Sequence, residues 1–192
     1  SASHIFPKRH KHVRETLEIM TGIWTNDLFE YHGEFADFDR AGFGAKPVQK
    51  PHPPIYFSGL KDPKRSASRI AKYGLAGWIG IQDTPAEIVR WKSEIQRELQ
   101  ELGSDRSLDK DFDMCSMIWF TITDTETDQT DNHKLTNLLV GTEQQITDRL
   151  KAYREAGMNM PLIWPPFTGV PVSKTLDDLK RLVHNIMPKV NA

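Results

Sequence analysis

Apolar residues recur at helical spacing in several stretches of the chain, and most of these carry their own start or stop signal. Ile88, Trp91, Ile95, Leu99 and Leu102 keep an i, i+3/i+4 rhythm behind Thr84-Pro85-Ala86-Glu87. That tetrapeptide is a capping box with proline at the first helical position, and Gly103 closes the run. Thr142, with Gln145 three residues on, opens a second helix over Ile146, Leu150 and Tyr153, which Gly157 stops. A third helix runs over Val13, Leu17, Met20 and Trp24. A fourth carries Leu176, Leu179, Leu182, Val183 and Ile186, with Pro188 marking its end, and residues 63–73 are predicted helical before Gly74.

Between the helices lie apolar runs of strand length: Ile55-Tyr56-Phe57, Trp78-Ile79-Gly80-Ile81, Met117 to Ile122, and Met160 to Trp164. Strand and helix in alternation predict a parallel sheet with right-handed crossovers. Phe29 to Phe35 reads as a small hairpin turning at His32-Gly33, and Lys46 to Pro54, with four prolines, as an extended approach to the first parallel strand. Thr123 to Asn137 is a polar, acidic loop, and no repeat of fixed period is present. The fold class is α/β with about four parallel β/α units, where a closed barrel needs eight over ~200–250 residues. Residues 1–192 are therefore expected to form one partial barrel domain, with a basic stretch over 1–12 and a polar loop over 124–138.

Composition narrows the function classes. With 25 basic and 26 acidic residues the net charge is −1, so nothing pulls the chain toward nucleic acid or anionic lipid. The basic group Lys8, Arg9, Lys11 and Arg14 lacks interleaved aromatics. Apolar runs such as Leu138-Leu139-Val140 fall far short of the ~18 residues of a membrane span. One cysteine, Cys115, excludes an internal disulfide framework and a multi-cysteine zinc site. Ser1 to His12 has no apolar signal core, so the expected location is the cytoplasm; the missing initiator Met suggests processing, tag removal or truncation.

Several segments, in order, resemble the bacterial-luciferase-like monooxygenases and their deazaflavin-dependent relatives. They are Leu17-Glu18-Ile19-Met20-Thr21-Gly22-Ile23-Trp24, His32-Gly33-Glu34-Phe35, Lys46-Pro47-Val48-Gln49 with Pro53-Pro54-Ile55-Tyr56, Gly77-Trp78-Ile79-Gly80, and Leu139-Val140-Gly141-Thr142 through Ala156-Gly157. The resemblance implies the C-terminal half of a (β/α)8 TIM barrel, strands five to eight. It also implies FMN as cofactor, or alternatively the deazaflavin coenzyme. With FMN the reaction would be oxidation of a small organic substrate by reduced flavin and oxygen, the flavin being delivered by a reductase. With the deazaflavin it would be hydride transfer. A homo-oligomer is implied too, with Met20 and Trp24 as contact candidates. The link from Asp124 to Leu139 is shorter than in many relatives, and the first four strands have no counterpart. The expectation is an enzyme fragment; the alternative is a non-catalytic half-barrel binding or assembly protein.

The candidate site is the turn Phe57-Ser58-Gly59-Leu60, between a strand and a helix. Glycine permits close approach, Ser58 offers a hydroxyl donor, and Lys61, Lys64 and Arg65 make the surroundings positive. An ordinary strand-to-helix turn has the same composition; the resemblance implies contact with the flavin phosphate through Ser58, Gly59 and Leu60. Gly80 either brings backbone to the same cofactor or serves tight strand packing, and Trp78 reads as core. The histidines show no metal-ligand pattern, and no spacing singles out a general base, so no metal site and no catalytic residue is assigned. Cys115 reads as a buried small apolar residue, and the acidic run 124–131 lacks the spacing of a calcium loop. Neither a G-x-S-x-G nor a Walker motif occurs.

Overall fold

The computed structural model describes residues 6–58, 62–81, 83–127, 138–165 and 169–192. The chain divides into two compact units, Ser1–Ile55 with Lys72–Gly74, and Tyr56–Ala71 with Leu75–Ala192.

In the first unit, helix α1 (Arg9–Thr25) carries the hairpin β1 (Leu28–His32) and β2 (Asp37–Gly42). The second hairpin strand begins past Phe35, because the turn spans four residues and closes with Gly33 N–H donating to the Ala36 carbonyl at 2.8 Å. Glu15, buried on α1, fastens that turn by accepting the backbone N–H groups of Glu34 (3.2 Å) and Phe35 (2.9 Å). Lys11 and Lys8 both pair with Glu34 and bring its carboxyl down to about 2. Gly22 leaves room for the Phe29 ring, which a Cβ there would strike. Glu18 accepts from Lys72 Nζ (2.6 Å), the Tyr31 hydroxyl (2.7 Å) and the Tyr73 hydroxyl (3.1 Å). Burial alone would raise the Glu18 carboxyl, but these three donors outweigh it and hold it below its ordinary value.

The second unit is an all-parallel sheet of β3 (Tyr56–Ser58), β4 (Gly77–Ile81), β5 (Asp113–Ile122), β6 (Leu138–Gly141) and β7 (Met160–Trp164). Its helices are α2 (Pro63–Tyr73, whose last two residues cluster with the first unit), α3 (Pro85–Glu101), α4 (Glu143–Glu155), α5 (Val172–Arg181) and α6 (Met187–Asn191). Four strands correspond to the predicted runs; β6 is an additional short one, paired with the end of β5. β5 is the hub, bonded to β4, β6 and β7. Both expected capping boxes form: Thr84 and Thr142 accept from the amides of Glu87 and Gln145, whose side chains reach back. Pro188 does not end the last helix. A π-helical turn over Leu182–Ile186 follows α5, and Pro188 then sits in the first turn of α6, where its missing N–H leaves no partner unsatisfied.

Strand register sorts the side chains onto two faces. Phe57, Trp78, Gly80, Met114, Ser116, Ile118, Phe120 and Ile122 share one face, which is buried and turned toward the helices, as the Arg69 guanidinium of α2 over the Phe57 ring shows. Ser58, Ile79, Ile81, Cys115, Met117, Trp119, Leu162 and Trp164 share the other. That inner face is partly open: Ile81 is 57% and Trp164 37% exposed. Cys115 is buried in a row between Ile79 and Met160.

Asp178 on α5 ties that helix to the sheet. Its buried carboxylate accepts the Ile122 N–H at 3.1 Å and Lys174 Nζ at 2.5 Å, and Lys174 also donates to the Ile122 carbonyl at 2.7 Å. Asp178→Ala leaves the buried Ile122 amide without its acceptor, and urea unfolding should show a loss of about 2–3 kcal/mol. Burial pushes the Cys115 thiol up to about 11, with Asp113 adding to the shift. In the folded protein it should resist a thiol reagent at pH 8 and react fully once urea is added. Its folded value lies above the ordinary one near 9, so its contribution to stability is complete below 9 and is lost as pH rises toward 11; Cys115→Ser should flatten that alkaline decline.

Candidate functional site

The carboxyl ends of parallel strands are where backbone groups and helix starts converge, so the site is built from the residues that close β3, β4, β5 and β7. Ser58 is the last residue of β3, exposed, and on the inner face. Gly59, Leu60 and Lys61 lie outside the described residues. The helix that follows is already partly occupied at its start. Asp62 Oδ1 accepts the Arg65 N–H at 3.1 Å, and the Asp62 carbonyl accepts the N–H (3.0 Å) and hydroxyl (2.6 Å) of Ser66. Arg65 also turns its guanidinium to Asp62 at 3.5 Å. Lys64, exposed on the first turn of α2 beside the equally exposed Arg65, pairs with no acidic side chain among the described residues.

Gly80 stands on the opposite face from Ser58. A Cβ at Gly80 would collide with the Asp83 carboxylate and lie 3.0 Å from the Trp78 ring. Its small size thus seats Asp83, which is buried, behind the end of β4. Tyr153 of α4 donates its hydroxyl to the Asp83 carbonyl at 3.0 Å, and burial raises the Tyr153 phenol. Asp83 is therefore held from the helix side, by packing and by the neighbouring Thr84 cap.

The inner face at the same edge carries Ile81 from β4, Trp119 and Thr121 from β5, and Trp164 from β7, with Trp119 and Trp164 in direct register. This is an apolar, aromatic wall beside one hydroxyl, and Ile81, Trp119 and Trp164 join the site only once register is known. Deeper in the sheet, the Tyr56 hydroxyl donates to Asp113 Oδ2 at 2.6 Å, a bond that pushes the phenol up to about 12 and places this charged group at the amino end of the strands. His12, His32 and His52 belong to the first unit, where His32 pairs with Asp37 and His52 meets the Pro53 carbonyl; His4 and His133 lie outside the described residues. Among the described residues, no group of three or more His, Cys, Asp or Glu could hold a metal ion, and no helix is long and apolar enough to cross a membrane.

The chain is 30% identical over 99 residues to the FMNH(2)-dependent dimethylsulfone monooxygenase of Pseudomonas putida, a match covering 50% of this chain and 27% of that protein. It is 20% identical over 222 residues to the oxygenase component of the flavin-dependent trigonelline monooxygenase of Acinetobacter baylyi, covering 92% of this chain and 59% of that one. An F420-dependent secondary alcohol dehydrogenase, solved with an F420-acetone adduct, superposes with a TM-score of 0.73 at 17% identity over 96% of this chain and 62% of its own. The last likeness shows the fold, an α/β parallel-sheet architecture that covers part of a TIM-barrel protein. The chain spans less than two thirds of each of these proteins. Residues 3–134 match the luciferase-like monooxygenase family, and the chain belongs to that family.

Proposed function

We propose that this chain supplies the carboxyl-terminal β/α units of an FMN-dependent monooxygenase, with the turn from Ser58 through Gly59 and Leu60 against the flavin phosphate. The observation that carries the reading is the position of Ser58, an exposed hydroxyl at the carboxyl end of β3 on the inner face of the sheet, in the row of Ile79 and Cys115. Its support from the relatives is the FMNH(2) dependence in the name of the dimethylsulfone monooxygenase.

The residues present fit a phosphorylated flavin in part. Ser58 can donate its hydroxyl to a phosphate oxygen, and Lys64 supplies positive charge nearby. Asp62 takes up one N–H of the α2 amino terminus, so the helix start offers less to an anion than its position suggests. Ile81, Trp119 and Trp164 would keep water from the mouth, and Gly80 acts indirectly by seating Asp83 behind the β4 end. Reduced FMN, when bound, supplies the oxygen chemistry. In this reading a separate reductase delivers the reduced flavin, as the phrase oxygenase component suggests for the Acinetobacter relative. No residue of this chain is assigned to proton transfer.

Fluorescence titration tests the phosphate contact. FMN should bind more tightly than riboflavin, and Ser58→Ala should weaken FMN by about tenfold while leaving riboflavin unchanged, as the loss of one hydrogen bond to a charged group implies. Equal affinities for the two flavins, together with an unaffected Ser58→Ala, would sink the proposal.

A further inference from the structure

At the amino end of β7, on the helix side of the sheet, the second unit forms a half-open cavity of about 460 Å3 to which none of the site residues contributes. Its apolar lining is Leu108, Leu150, Met158, Pro161, Met187 and Val190, of which Leu108, Leu150, Met158 and Val190 are buried. Its charged lining is Lys92, Asp109 and Arg154. Lys92 is paired with Asp109 and lies across Gly157, where a Cβ would collide with its ammonium group at 2.6 Å. Arg154, in the last turn of α4, donates to the Val190 carbonyl and pairs with no carboxylate among the described residues. The lining therefore carries one net positive charge, borne by a guanidinium next to an apolar floor.

We propose that this cavity binds a medium-chain monocarboxylate, with its carboxylate on Arg154 and its alkyl chain over Leu108, Leu150 and Met158. The volume falls in the range of small-ligand pockets, ~300–1,000 Å3. The planar fork of a guanidinium matches a carboxylate through two parallel hydrogen bonds. The Asp109 charge, held at the same cavity by Lys92, disfavours a dianion such as a phosphate monoester. A neutral alkyl chain would find the floor but leave the guanidinium unanswered.

Isothermal titration calorimetry on the whole chain, with decanoate, decanol and decyl phosphate below their aggregation limits, decides the matter. Decanoate should bind at one site per chain and at least about tenfold more tightly than decanol. Arg154→Gln should weaken decanoate by about tenfold or more, and Arg154→Lys should restore part of the loss. Arg154 is exposed and gives up one bond, to the Val190 carbonyl, so circular dichroism should report a folded chain in both variants. Any of three results overturns the proposal: no saturable binding of decanoate, binding that Arg154→Gln leaves intact (which would put the alkyl chain elsewhere, such as on the open inner face of the sheet), or a preference for decyl phosphate.

Discussion

A parallel sheet has two apolar faces and is stable only when both are covered. In the second unit the helices bury most of one of them, and Ile118 and Ile122 reach near-zero exposure there. The other face keeps the same apolar character without the same cover, and Ile81 and Trp164 show it most. Everything distinctive about the unit follows from this asymmetry. The hub strand β5 buries alternate residues against the helices and presents the others, Met117 and Trp119 among them, inward. The inward set becomes more aromatic toward the carboxyl edge, where Trp119 and Trp164 stand side by side. Toward the amino edge it becomes polar, with Tyr56 bonded to Asp113. One surface thus offers an uncharged wall at one end and a fixed hydrogen-bonded base at the other.

The same edge shows two helix starts used differently. At α3 the Thr84 hydroxyl and the Glu87 carboxylate complete each other, and Tyr153 holds the Asp83 carbonyl from behind. At α2 an acidic side chain occupies the helix start, while the residue that closes the strand before it remains solvent-facing. The first arrangement is closed to a ligand and the second is half open. In the proposed reading, anion recognition therefore falls mainly on Ser58, with the helix dipole in a lesser role.

Local chemistry was legible in the sequence wherever it is self-contained. The two capping boxes, the glycine stops after α2, α3 and α4, and the hairpin at Gly33 each depend on residues within a few positions of one another. Features that depend on pairing between distant segments were not legible. Composition places Ser58 and Gly80 alike at strand ends; only the register of β3, β4 and β5 puts them on opposite faces. Trp119 and Trp164 belong to apolar runs whose inward and outward residues look the same until a neighbouring strand is aligned with them. The start of β5 was obscured for a related reason, since Asp113 and Ser116 interrupt the apolar run while the ladder to β4 continues through both. Of the candidate site, the strand end at Ser58 was readable and the aromatic wall of Trp119 and Trp164 was not.

The wide turn at Leu182–Ile186 has a bearing on how this segment can vary. A π-helical turn holds one more residue than an α-helical turn of the same span, so it stores an insertion without displacing the helix on either side. Asp178 anchors the segment before it to the sheet, and Arg154 holds the Val190 carbonyl after it. With both flanks tied, a gain or loss of one residue is absorbed between them. A change of one residue in this turn should therefore leave Met187 and Val190 presenting the same surface to α4.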